Sequence, residues 1–152
     1  MTRQEYKNIY DVVGAAQEVH KTLGRGLSEL IYQEAFSIEM TERGMEFERE
    51  KQLRLYYKTH LMEKTYYADF YYQGVLIELK AVEKILPEHR SQLFNYMRLT
   101  KHPIGILINF GASKLQGERY GYIEETNECV LLDRNMDILS ESVDWDEDDY
   151  DE

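Results

Sequence analysis

The chain is short of several things. It has one cysteine, Cys129, so no disulfide can form within it, which fits a reducing compartment. No motif surrounds that residue, and it reads as a small apolar side chain in a strand. The two prolines, Pro87 and Pro103, both stand where an element is expected to begin. No apolar run approaches the ~18 residues that a membrane-spanning helix needs, and no signal peptide precedes the first helical pattern. The expectation is a soluble, cytoplasmic protein. Excess positive charge is missing too. A formal net charge of −11 excludes the strongly basic body of a protein that coats nucleic acid. Much of that charge is local: Glu141 to Glu152 holds eight of the 29 acidic groups and no Lys or Arg, so 21 acidic residues face 18 basic ones elsewhere. There is no internal repeat.

What is present amounts to one domain. A chain of 152 residues can bury a real core. Residues 1–139 are expected to form that domain, and 140–152 an acidic, disordered tail. The tail reads as inert solubilising sequence, with competition against DNA for a basic rim as a minority hypothesis. Residues 5–23 show Ile9, Val12, Val13, Ala16, Val19 and Leu23 at helical spacing, with Gly24 closing the helix. His20 in its last turn reads as a packed or capping residue. A second helix runs from Ser28 to about Arg43. It carries two apolar stripes, Leu27-Ile31-Ala35-Ile38 and Tyr32-Phe36-Met40, which predicts packing on both faces. Residues 47–57 alternate as a strand, with Phe47, Arg49, Lys51, Leu53, Leu55 and Tyr57 sharing one side. Lys58-Thr59-His60 reads as a turn, residues 61–72 and 75–81 as strands. Pro87 opens a helix to about Lys101, and Ile104 to Phe110 reads as a strand buried on both faces. Tyr120 to Ile123 and Cys129 to Leu132 look like two further short strands.

The stretch from Tyr66 to Ala81 draws attention. Gln73-Gly74 between two aromatic and β-branched runs predicts a hairpin with a two-residue loop. The register then sets Tyr72 against Val75, Tyr71 against Leu76, Phe70 against Ile77, and Asp69 against Glu78, with Lys80 on the Glu78 face. Directly opposed residues hold their Cβ atoms ~5 Å apart, where like charges repel. Two readings resolve the conflict. A divalent cation with hard oxygen ligands, such as Mg²⁺, joins the carboxylates. Alternatively the hairpin is exposed, its register slips by one, and Lys80 neutralises a solvated pair.

Asp on one strand and Glu-x-Lys on the next resembles the PD-(D/E)xK nuclease superfamily. Gly26-Leu27-Ser28-Glu29-Leu30-Ile31-Tyr32 is more specific, and resembles the name motif of the GxxExxY proteins, a branch of that superfamily. The similarity continues through Ala68-Asp69-Phe70, Ile77-Glu78-Leu79-Lys80-Ala81, Gln92-Leu93-Phe94-Asn95-Tyr96 and Leu107-Ile108-Asn109-Phe110-Gly111. It spans about Tyr6 to about Arg119. Ala68 stands where the superfamily's name has proline, at a position without chemistry.

The resemblance implies a restriction-endonuclease-like αβββαβ core of α/β (α+β) class, with a mixed sheet flanked by helices; a right-handed crossover through the intervening helix would set the Glu-x-Lys strand parallel to Ile104-Phe110. It implies a Mg²⁺-dependent nuclease, with Mn²⁺ as a substitute, acting on nucleic acid and above all DNA. Asp69 and Glu78 would be the principal metal ligands. The Leu79 carbonyl would add an oxygen, and Glu29 would complete the cage directly or through water. Lys80 would orient or deprotonate the attacking water or stabilise developing charge. Gln92 would orient Lys80 or a substrate phosphate, against the bland reading of a satisfied helix glutamine. Gly26 would set the turn before Glu29. Tyr32, bracing the site, is placed with His89 and Tyr96 on the substrate side. The thirteen tyrosines invite a stacking story that no single position carries. Lys58, Lys64, Lys84, Arg90, Arg98, Lys101, Lys114 and Arg119 are candidate phosphate contacts without a dense run. A non-enzymatic nuclease-like module that binds nucleic acid or a protein is the rival, and a carboxylate–lysine ion cluster in an interaction domain is the third reading. A homodimer is left open.

Overall fold

The computed structural model describes residues 3–139; the expectations for the acidic stretch from residue 140 onward lie outside these. Helices α1 (Arg3–Leu23) and α2 (Glu29–Glu42) precede strands β1 (Glu48–Tyr57), β2 (His60–Tyr72) and β3 (Val75–Lys80). Helix α3 (Pro87–Thr100) leads to β4 (Ile104–Asn109), followed by β5 (Gln116–Ile123) and β6 (Glu128–Leu132). The six strands lie side by side in chain order. Strands β3 and β4 run parallel, joined through α3, and every other neighbouring pair is antiparallel. This is a mixed α+β fold of restriction-endonuclease-like type, with the expected αβββαβ order extended by one helix at its start and two strands at its end.

The sheet separates two cores. On one face, Ile9, Val12 and Val19 of α1 and Phe36 and Met40 of α2 pack on Phe70, Ile77, Ile106 and Phe110. On the other, Leu93 and Met97 of α3 cover Leu76 and Leu107. Strand β3 therefore has both faces covered, as its unbroken apolar run demands. Glu78 is the one carboxylate inside that run, and it is 2% exposed.

The hairpin forms as read. Gln73 and Gly74 both adopt left-handed backbone, φ 45° and 91°, the pattern of a type I′ loop. The register pairs Tyr72 with Val75, Tyr71 with Leu76 and Phe70 with Ile77.

Three expectations need correction. Helix α2 is buried on one face only. Tyr32, Phe36 and Met40 are inside, whereas Leu27, Ile31 and Ile38 are 38%, 45% and 60% exposed. Helices α1 and α2 contribute to the same core on one side of the sheet, and α2 turns only its Tyr32-Phe36-Met40 face fully into it. His60 is the first residue of β2, paired with Tyr57, and the turn is Lys58-Thr59.

The third correction concerns alternation. Phe47 packs in the α1/α2 core and Leu53 in the α3 core, although both are odd-numbered residues of one strand region. On β2, Phe70 and Ala68 likewise belong to opposite cores. Both strands exchange faces at the same level, between the pairs Arg49–Phe70 and Lys51–Ala68. Glu50 sits there with φ 53°, a conformation uncommon for a residue with a Cβ, and the residue across from it is Asp69.

Candidate functional site

Regular pairing of β2 and β3 ends at Phe70–Ile77, and the strands fork. The expected Asp69–Glu78 ladder pair is replaced by side-chain bonds. The Asp69 amide donates to Glu78 Oε1 at 3.2 Å, and the Leu79 amide donates to Asp69 Oδ2 at 2.8 Å. Each carboxylate thus takes the place of a missing backbone acceptor, which draws the two acids together in the crotch of the fork. The amide and carbonyl of one strand residue point to the same side, so the Leu79 carbonyl is also aimed at the Asp69 side of β3.

This proximity is costly to charge. Burial pushes the Glu78 carboxyl well above its usual range, and the neighbouring Asp69 adds to the rise. Burial likewise raises Asp69; the Leu79 amide and Lys80 oppose the rise, and Glu50 reinforces it. Glu29, the first residue of α2, is raised by burial, with Lys80 and His89 pulling it down and Asp69 pushing it up. Glu29 therefore lies within electrostatic reach of the fork from the helix side. Among the described residues no three His, Cys, Asp or Glu side chains are grouped to hold an ion. The Asp69 and Glu78 carboxylates and the Leu79 carbonyl are a donor set of the kind a divalent cation takes together with waters.

The loop before Glu29 is tied down by Tyr32. Its hydroxyl donates to the Gly24 carbonyl at 2.6 Å and accepts the Leu27 amide at 3.3 Å, and its ring stacks on Phe110 at 4.8 Å. Gly26 within that loop has φ 98°, which only glycine adopts without strain. Tyr32 is fully buried, so its placement against substrate is corrected: the bonding fits a brace and leaves no surface for a ligand. Ser28 is the N-cap of α2 by position, but its side chain makes no capping bond.

Helix α3 supplies the remaining groups. Lys80 Nζ donates to Gln92 Oε1 at 3.2 Å, and Gln92 Nε2 donates to the Tyr96 hydroxyl at 2.7 Å. Tyr96 is 5% exposed and packs against Tyr66, so it fixes Gln92 rather than presenting a face to substrate. His89 is half-buried, and its Nδ1 accepts the Leu86 amide at 2.9 Å.

Several residues near the site escaped the sequence reading. Glu50 was hidden because strict alternation left no room for its kink. Asn109, fully buried at the end of β4, accepts the Val82 and Gly111 amides and donates to Val82 O and Gln116 Oε1. It fastens the chain just beyond Lys80. Gly111 belongs to the same joint, since a Cβ there would lie 2.3 Å from the Val82 carbonyl oxygen. Arg90 and Arg119 are not phosphate contacts. Arg90 forms a bidentate pair with Glu118, and Arg119 is 2% exposed and donates to the Arg134 carbonyl.

A family model described as the PD-(D/E)XK nuclease superfamily matches residues 6–120. No curated protein and no solved structure matches the chain. The family match covers α1 to the middle of β5, so it takes in Glu29, the β2–β3 fork, Lys80 and the face of α3 that holds it. On that match, the chain belongs to the PD-(D/E)XK nuclease superfamily.

Proposed function

We propose that residues 1–139 form a Mg²⁺-dependent nuclease of the GxxExxY branch that hydrolyses phosphodiester bonds of DNA in the cytoplasm. The observation that carries this reading is the pair of reciprocal bonds by which Asp69 and Glu78 share the fork, with Lys80 held beside them by Gln92. A bound divalent ion would supply charge relief at the phosphate and a bound water of lowered pKa. Asp69, Glu78 and the Leu79 carbonyl would hold it, with Glu29 acting through water. The reaction has a water oxygen attack phosphorus, the bond to the leaving oxygen break, and that oxygen take up a proton. Lys80 orients the water and offsets the growing negative charge. Gln92 keeps the ammonium of Lys80 in place, and His89 stands at the mouth near Glu29. The single cysteine supports a reducing compartment. Among the described residues, no helix is long and apolar enough to cross a membrane.

The deciding experiment incubates plasmid and single-stranded DNA with the full chain in Mg²⁺ or Mn²⁺, beside Asp69→Asn and Lys80→Ala. Cleavage by the wild type alone supports the proposal. Metal binding by calorimetry without cleavage of either substrate would turn the reading to the non-enzymatic module. Neither metal binding nor cleavage leaves the ion-pair cluster.

A further inference from the structure

A groove of about 720 Å³ runs between β1 and the C-terminal end of α3. Its lining includes Lys51, Arg54, Lys58 and Lys101, and it includes no carboxylate. In a chain of net charge −11, four cations around one groove are a marked local excess. Two of them have acidic neighbours outside the lining. Lys51 meets Glu48 at 2.9 Å and Lys101 meets Glu124 at 3.0 Å, the first with Lys51 half-buried and the second fully at the surface. Such pairs are worth ~0–1 kcal/mol and yield readily to a phosphate. Tyr56, also in the lining, is 56% exposed. An aromatic ring left that open has a face free for a ligand.

Both walls of the groove begin at the catalytic fork. On β1, Glu50 stands opposite Asp69, and Lys51, Arg54 and Lys58 follow. At ~3.3 Å per residue, Arg54 is ~13 Å and Lys58 ~26 Å along the strand from that level. On α3, Gln92 touches Lys80, and Lys101 lies ~13 Å further on at ~1.5 Å per residue. The cations therefore continue the line of the site.

We infer that this groove holds a single nucleic-acid strand, with phosphates on Lys51, Arg54, Lys58 and Lys101 and a base stacked on Tyr56, and feeds it to the β2–β3 fork. The occupant follows from two properties. The charge complements a polyanion. An open ring beside cations is the arrangement that grips unpaired bases, because every base offers a π-face. The inference rests on the nuclease reading for the direction of the strand, and on the groove alone for its binding.

The test is fluorescence anisotropy with the full chain in EDTA, where no metal-dependent cleavage occurs. The probes are a labelled oligothymidylate and a duplex of equal length, titrated over a range of salt. The single strand should bind more tightly than the duplex. Lys51→Gln and Arg54→Gln should each reduce the slope of log affinity against log salt by ~0.7. Tyr56→Ala should weaken single-strand binding by about fivefold or more without moving the melting temperature, since the side chain is largely exposed. Tighter binding of the duplex, or unchanged single-strand affinity in all three variants, overturns the inference. The two readings fail separately. Plasmid cleavage in Mg²⁺ with the groove variants binding as wild type removes the groove and keeps the nuclease. Groove-dependent binding without cleavage removes the nuclease and keeps the groove.

Discussion

Arg90→Ala is the perturbation with the clearest expected size. The Glu118 carboxylate is 0% exposed and is held by Arg90 Nε at 2.7 Å, Arg90 Nη2 at 2.8 Å and the Tyr120 hydroxyl at 2.6 Å. The substitution deletes two charge-assisted bonds and leaves a buried charge with one neutral donor. Breaking a buried pair in this way costs ~3–5 kcal/mol, chiefly from the charge left behind. For a domain of this size each kcal/mol moves the melting temperature by ~2–4 °C, so a fall of about 6–20 °C is expected. Arg90→Met combined with Glu118→Leu removes both charges and should recover most of the loss, within ~1–2 kcal/mol of wild type. Thermal and urea melts of wild type, Arg90→Met, Glu118→Leu and the double variant close the cycle, with Arg90→Ala measured beside them. A loss below ~1 kcal/mol for Arg90→Ala, or a double variant no more stable than Arg90→Ala, refutes the reasoning. The pair also joins β5 to the helix that carries Gln92, so the proposed cleavage should fall in Arg90→Ala beyond the loss of folded protein.

Other consequences are open to measurement. The carboxyl of Glu78 is raised on folding, so the native state holds its proton more tightly than the unfolded chain. Its contribution to stability is therefore greatest below the ordinary carboxylate range and is lost as pH rises through the folded value. In metal-free protein, Glu78→Gln should melt above wild type by a margin that widens from pH 4 to pH 8, as followed by circular dichroism; a margin that narrows contradicts it. Lys80→Ala should reduce the proposed cleavage by ~10²–10³-fold and Gln92→Ala by less, with calorimetric Mg²⁺ binding retained in both. A larger effect of Gln92 than of Lys80 would reverse the two roles. Tyr32→Phe should cost ~1–3 kcal/mol, because the Gly24 carbonyl and Leu27 amide lose their shared partner. Its effect should appear in stability and kcat rather than KM, and a change confined to KM would restore Tyr32 to the substrate side.

Legibility tracked the distance in sequence between interacting groups. The Gln73-Gly74 turn and its register as far as Phe70–Ile77 were readable, because a two-residue loop sets them locally; the fork beyond, where side-chain bonds stand in for the expected Asp69–Glu78 pair, was not. Helix limits followed from periodicity and capping, as with α1 and α3. The expectation for Gln92 came only from the resemblance, and the structure adds its contact with Lys80. Glu50 was unreadable, since a kinked residue at positive φ has no signature in an alternating pattern. The exposed stripe of α2 was misread because apolar spacing reports capacity for burial and not whether a partner covers it.

The sequence alone determined the order of elements, the local hairpin, and a family motif that names the acids. Only tertiary structure decided how those acids meet. Reciprocal bonds to backbone amides in a fork, a face exchange at Glu50 and Asp69, and clamps from Asn109 and Arg90 all join residues far apart in the chain or off its regular pattern. Local propensity depends on neighbours a few positions away. Burial, charge repulsion and groove shape depend on which segments are folded together, and that information is spread over the whole chain.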